Sequence, residues 1–229
     1  MLIREGDSRT LRADLMLASS LAFVAGGVNS AGFMAFRYFS ANMTGNVSMS
    51  SELLAIGQWQ AALAFLIVVV MFILGAFLAS ILIEVGKQRG RNNIYALTLV
   101  LESCVLKMVG VTARRTPVPP NALLILGMLS LTMGIQNAAS TRISGSRVRT
   151  THVSGIATDL GVGLAMLLGN RSGADKTAVR LRLKLYLANM ASFGIGGFLG
   201  VIGLQYFGGA SFAVFALPLL LLSGVYIRG

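Results

Sequence analysis

Two short stretches, "ANMTGNVSM" at residues 41–49 and "TTHVSGIATDL" at residues 150–160, set hydroxyl, amide and glycine side by side in a chain that is otherwise largely apolar. The combination has a defined chemical use. Glycine lets the backbone break, and a Ser or Thr beside it caps the helix that starts there. The first turn of such a helix carries unpaired N–H groups and about half a positive charge, so two of them facing one hollow favour an anion or a strong hydrogen-bond acceptor. Thr44, Gly45 and Asn46 in the first stretch and Ser154 and Gly155 in the second are therefore candidate binding residues. The amides Asn29, Gln136 and Asn137, toward the ends of the preceding apolar segments, join them as donors to a substrate or as ties for unwound backbone. Asn42 and Asn46 also suit simple turn roles.

Ionisable groups inside apolar segments point to function because each is costly there and needs a partner. Glu102 lies near the middle of its segment and is the first candidate for binding a proton or cation. Asp159 and Glu52 sit in the two half-helices expected after the glycines, and His152 just before Ser154, all candidates for gating or coupling. Lys107 suits snorkelling to an interface. A Ser two residues from a His on one strand of chain, with no orienting carboxylate, is poorly arranged as nucleophile and base, so an enzyme is not expected. A single histidine and the single Cys104, far apart, do not make a metal site, and no cofactor is implied. Cys104 excludes an intrachain disulfide and reads as a small buried thiol.

The elements that must hold these residues follow from composition. With 55% hydrophobic and 12% charged residues over 229 positions, and a mean hydropathy of +0.76, the chain has more apolar surface than a soluble core can hide. An all-α integral membrane protein of one domain is expected, with the lipid bilayer as its first partner. The net charge of +11 sits in short loops without a nucleic-acid motif, so it sets orientation in the membrane and no nucleic-acid partner is expected. Arg4, Arg9 and Arg12 before "LMLASSLAFVAGG" resemble a signal peptide, but that segment carries half of an internal repeat, so cleavage is not expected.

Apolar length predicts six crossings, at about 13–35, 59–85, 92–111, 121–141, 184–206 and 211–227, with Trp59, Tyr95, Tyr186, Tyr206 and Tyr226 near their ends. The segments 42–57 and 150–169 begin too polar for full crossings. If both dip in and return, fifteen of the nineteen Lys and Arg face one side, including Lys87, Arg142, Arg147, Arg171 and Arg228, against Arg37, Arg114 and Arg115 on the other. If both cross fully, that bias largely disappears. The charge pattern favours six spans, two re-entrant half-helices and two cytoplasmic termini.

Landmarks recur in order. "GGVNSA" at 26–31 matches "GIQNAA" at 134–139, "TGN" at 44–46 matches "SGI" at 154–156, and "GAFLA" at 75–79 matches "GGFLG" at 196–200. Three spans in each half, about 12–111 and 121–227, invert the second half relative to the first, a plan shared with secondary transporters whose site lies between paired broken helices. The small-residue pairs at 75–79 and 196–200 suit packing of the halves or a homodimer.

"GGVNSAGF", "ANMTGNV", "MGIQNA" and "TTHVSGIATDL" together resemble the YoaK-like family of small bacterial membrane proteins, domain of unknown function 1275, over about residues 20–225. The resemblance implies a bacterial inner (cytoplasmic) membrane protein and names no substrate. Where this chain reads "HVSGI", the family more often has a Thr-Gly-Thr-type stretch; Ser154 keeps a hydroxyl there. The leading functional expectation is a secondary transporter of a small solute, with an anion as the class the helix ends favour. A channel or a non-transporting scaffold are the alternatives.

Overall fold

The structure, a computed structural model, describes residues 2, 5–91, 93–113, 122–169 and 175–227. Arg4, Arg114, Arg115, Arg171, Arg228 and the side chain of Tyr226 lie outside the described residues. All regular structure among the described residues is helical: α1 Leu11–Phe36, α2 Met43–Ala55, α3 Trp59–Gln88, α4 Ile94–Thr112, α5 Ala122–Ser144, α6 Val153–Leu168, α7 Lys176–Phe207, α8 Ser211–Val214 and α9 Ala216–Ile227.

Helix ends follow local chemistry. Thr10 caps α1 by accepting the Ala13 N–H at 3.3 Å, and Asp175 caps α7 by accepting the Thr177 N–H at 2.8 Å. Gly57, with φ of 76°, turns the chain between α2 and α3. Gly208, with φ of 58°, ends α7.

Five apolar helical stretches are long enough to cross a bilayer, the last running from Lys176 to Gly224 through the break after α7. α9 alone has 12 residues and reaches about 18 Å, short of a bilayer core of about 30 Å. The expected separate span at 211–227 falls on α8 and α9, within the apolar stretch that begins with α7. In the most hydrophobic window of each helix, α1, α4 and α5 are 56–61% buried and α3 only 22%. The first three form the packed centre, and α3 turns most of its surface, including Val70, Ile73 and Phe77, outward. Cys104 is exposed, not buried as expected, because it points away from the α4 face that buries Leu99, Leu106 and Val109.

Lipid tails are as apolar as leucine, so close packing and polar ties, not apolar burial, must hold the helices to one another. α1 packs along α7 and α3 along α5. At the first crossing a Cβ on Gly26 would sit 2.0 Å from the Phe193 carbonyl oxygen, and one on Gly196 would sit 2.0 Å from that of Phe23. The second crossing repeats this, Gly134 against Phe72 and Gly75 against Leu131, again at 2.0 Å. Only a missing side chain admits such contact. Polar ties add to this: Ser130 Oγ of α5 donates to the Val68 carbonyl of α3 at 2.7 Å, and Ser50 Oγ of α2 to that of Ala62 in α3 at 3.1 Å.

Charges collect at one end. Asp14, at the start of α1, accepts from Arg9 at 2.5 Å and from Arg147, beyond the end of α5, at 3.1 Å. Glu84 near the end of α3 pairs with Arg142 at 2.6 Å. Lys87 pairs with Glu5 and stands 5.6 Å over the Tyr95 ring at the start of α4.

Candidate functional site

The chain leaves α1 at Arg37, turns back, and starts α2 beside the body of α1. Asn29 holds it there by accepting the Ala41 N–H at 2.9 Å. After α5 the same course is repeated: Asn137 accepts the Thr151 hydroxyl at 3.0 Å and that of Thr150 at 3.5 Å, and α6 starts at Val153. The two helix starts then line one cavity of about 600 Å³.

Its lining comes in pairs at matching positions of the two landmark series: Ala41 with Thr151, Asn42 with His152, Met43 with Val153, Thr44 with Ser154, and Phe72 with Phe193. Asn29, Gly45 and Ser48 complete it. No Asp, Glu, Lys or Arg is among these residues, so the field inside comes from helix ends, amides and hydroxyls. The Nδ2 group of Asn29 and the hydroxyls of Thr44, Ser48 and Ser154 have no hydrogen-bond partner among the described residues and remain available to a ligand.

The two helix starts differ in their caps. Asn42 Oδ1 accepts the Gly45 N–H at 3.1 Å, closing the first turn of α2. No side chain caps α6. His152 takes the cap position and lays its ring over Gly155, where a Cβ would fall 2.3 Å from Cε1. A second cavity, of about 430 Å³, is also lined by His152, together with Arg147, Arg149, Asp159, Tyr186 and Asn189. Among the residues named for each, His152 is common to both hollows.

Residues 17–225 match the model of the family described as "Protein of unknown function (DUF1275)". The chain belongs to this family. Over 161 residues it is 30% identical to "UPF0700 transmembrane protein YoaK" of Bacillus subtilis (strain 168), a match that covers 69% of this chain and 67% of that protein. No solved structure matches. Both broken stretches lie inside the family's range, so the cavity is made of the part that defines the family.

The structure sorts the expected site residues of this family member. Asn29, Thr44, Gly45, His152 and Ser154 line the first cavity; Gly155, Asp159 and again His152 line the second. Gln136 does not reach either. It is fully buried, and its Nε2 donates to the Leu21 carbonyl at 2.5 Å, tying α5 to α1. Asn137 and Asn46 are also absent from both linings. Asn137 holds Thr150 and Thr151, and Asn46, fully buried, donates to the Phe39 carbonyl at 2.7 Å. Glu52 is exposed on α2 outside both linings. Glu102 is fully buried in α4, neither carboxyl oxygen having a hydrogen bond among the described residues, and it lines neither cavity.

Phe72, Phe193, Ser48 and Thr151 are lining residues that the sequence reading passed over. Phe72 and Phe193 carried a usable signal: each stands three residues before the first glycine of its "GAFLA" or "GGFLG" landmark.

Proposed function

We propose that the protein is a secondary transporter of a small, acceptor-rich solute, anions preferred, that alternates access to the cavity between α2 and α6. One observation carries this reading: two helix N-termini line a single hollow with no charged side chain among its lining residues. Such a site attracts electron-rich groups through preorganised N–H and O–H dipoles, without a fixed countercharge to trap them. Of the ionisable candidates, His152 and Asp159 face a cavity and serve coupling and gating in this reading. No covalent chemistry and no cofactor are involved.

The same reading makes α2 and α6 re-entrant, entering from opposite faces, with α8 and α9 together supplying a sixth crossing. The halves are then inverted copies. The reciprocal glycine contacts of α1 with α7 and of α3 with α5 support this, since an inverted duplication generates both from one design. The ion pairs that gather the start of α1 and the ends of α3 and α5 support it too, because α2 must then return to the face it entered from. Their basic end is cytoplasmic by the charge rule, in a bacterial inner membrane, with both termini on that side.

The test is counterflow in proteoliposomes, with the solute chosen by thermal stabilisation of the purified protein against metabolites and anions. Saturable flux accelerated by solute on the opposite side is expected. Flux that rises without saturation makes the protein a channel, and absence of flux with any stabilising solute removes transport altogether. For orientation, Gln88→Cys and Ser146→Cys, both at exposed positions, on a Cys104→Ala background should resist impermeant thiol reagents applied to intact cells. Labelling of both would overturn the assignment of sides.

A further inference from the structure

We infer that the uncapped N-terminus of α6 is the seat of a small monovalent anion, and that His152 takes up a proton together with it. The inference rests on the transport reading and adds its substrate class and coupling ion.

α6 has 16 residues and no side-chain cap, as α3 and α4 have none, whereas α2, the other helix start at this cavity, is capped by Asn42. The N–H groups of Ser154 and Gly155 consequently have no acceptor among the described residues. A helix start of this kind is one acceptor short. An independent observation points the same way. Asn29 is only 7% exposed, and its orientation is fixed because Oδ1 accepts the Ala41 N–H. Its other end, Nδ2, must be the donor left over, and Asn29 shares the cavity with Ser154. Donors without partners, a free Ser154 hydroxyl and no acidic side chain call for a ligand rich in lone pairs and negative in charge.

His152 decides how that charge is balanced. Its ring lies over the first turn of α6, where the helix end carries about half a positive charge. The groups lining the second cavity with it are, from its own loop, Arg147, already paired with Asp14, and Arg149, which has no ion pair among the described residues; from α6 there is Asp159 and from α7 Tyr186. No titratable group faces it from α1, α2 or α3 across the first cavity. An anion on the α6 amides reverses the local sign. Proton and anion then raise each other's affinity by the same factor, as linkage requires. Binding strengthens as pH falls through the imidazole range and weakens as pH rises through it. The pair enters with no net charge.

The probe is nitrate, which stays ionised across the range so that any pH effect comes from the protein. Formate serves as a carboxylate, and urea as the neutral molecule of nitrate's shape. Affinity is read from thermal stabilisation of the purified wild-type protein at constant ionic strength. The expected result is nitrate and formate binding about tenfold tighter near pH 6 than near pH 8, with urea much weaker. His152→Gln should bind nitrate weakly and equally at both pH values. As a check that needs no variant, adding nitrate to lightly buffered wild-type protein near neutral pH should consume protons, read with an indicator dye.

Equal nitrate affinity at both pH values, an unchanged pH dependence in His152→Gln, urea binding as well as nitrate, or no stabilisation by either anion overturns the inference. Those results together with saturable counterflow of a neutral solute leave the transport reading intact. Loss of counterflow for every solute removes both.

Discussion

The two breaks follow one path and are held by different chemistry. The first is closed by its own asparagines: Asn29 takes the Ala41 amide, Asn42 caps Gly45, and Asn46 donates to the Phe39 carbonyl. The second is looser. Asn137 takes two threonine hydroxyls instead of a backbone amide, Asn189 of α7 donates to the Arg149 carbonyl at 3.2 Å, and the helix start goes uncapped under His152. Backbone course is repeated while the satisfaction of polar groups is not. An amide inside a membrane protein must find a partner, and where the chain supplies none a ligand can. In the anion reading proposed above, the asymmetry places the open helix end in the second half.

The comparison breaks most severely at what the halves share. Gly26→Val and Gly134→Val each press a branched side chain into a backbone carbonyl 2.0 Å from where its Cβ would sit, and each should destabilise by about 3 kcal/mol. The informative outcome is equality. Thermal unfolding in detergent should give closely similar losses for the two variants, and a loss at one position only would mean that the matched crossings are not equivalent in energy.

Next comes the first difference. Asn29→Ala strands the buried Ala41 N–H and should cost about 2 kcal/mol. Asn137→Ala strands only hydroxyls, which can rotate to other acceptors, and should cost about 0.5 kcal/mol. Chemical or thermal unfolding of the two variants side by side measures the gap; equal costs would mean that the second break depends on Asn137 as heavily as the first does on Asn29.

Part of this was readable beforehand. Thr44-Gly45 and Ser154-Gly155 pointed to the right places because helix-start chemistry is local, but the capping role read for Thr44 and Ser154 does not hold: α2 and α6 begin at Met43 and Val153, the cap positions belong to Asn42 and His152, and Gly45 and Gly155 are helical, each packed under the residue three before it. Which face an amide takes is not local. Gln136 and Asn137 lie about 100° apart on the helix, and α5 is apolar or small on nearly every side, so no stripe in the sequence fixes its rotation. Gln136 thus read as a binding residue and is a tie to α1. Glu102 illustrates the same limit: its central place in a segment was evident, its distance from the cavities was not. Likewise the gap between the expected spans 184–206 and 211–227 matches the break after α7, yet composition could not foresee how short α9 would be.

The smallest effect concerns the caps themselves. Asn42→Ala opens the first turn of α2 by removing the Oδ1 acceptor from the Gly45 N–H, and should cost about 1 kcal/mol. His152→Ala removes no hydrogen bond to α6, and its effect on stability should stay within about 0.5 kcal/mol. The reciprocal exchange tests the logic of the comparison more directly. His152→Asn gives α6 the cap that α2 already has, so unfolding should show a gain of about 0.5 to 1 kcal/mol. The same variant fills the N–H groups a ligand would use, so stabilisation by added nitrate should shrink as intrinsic stability grows. Parallel increases in both would separate capping from binding and leave the open helix end without a role in ligand recognition.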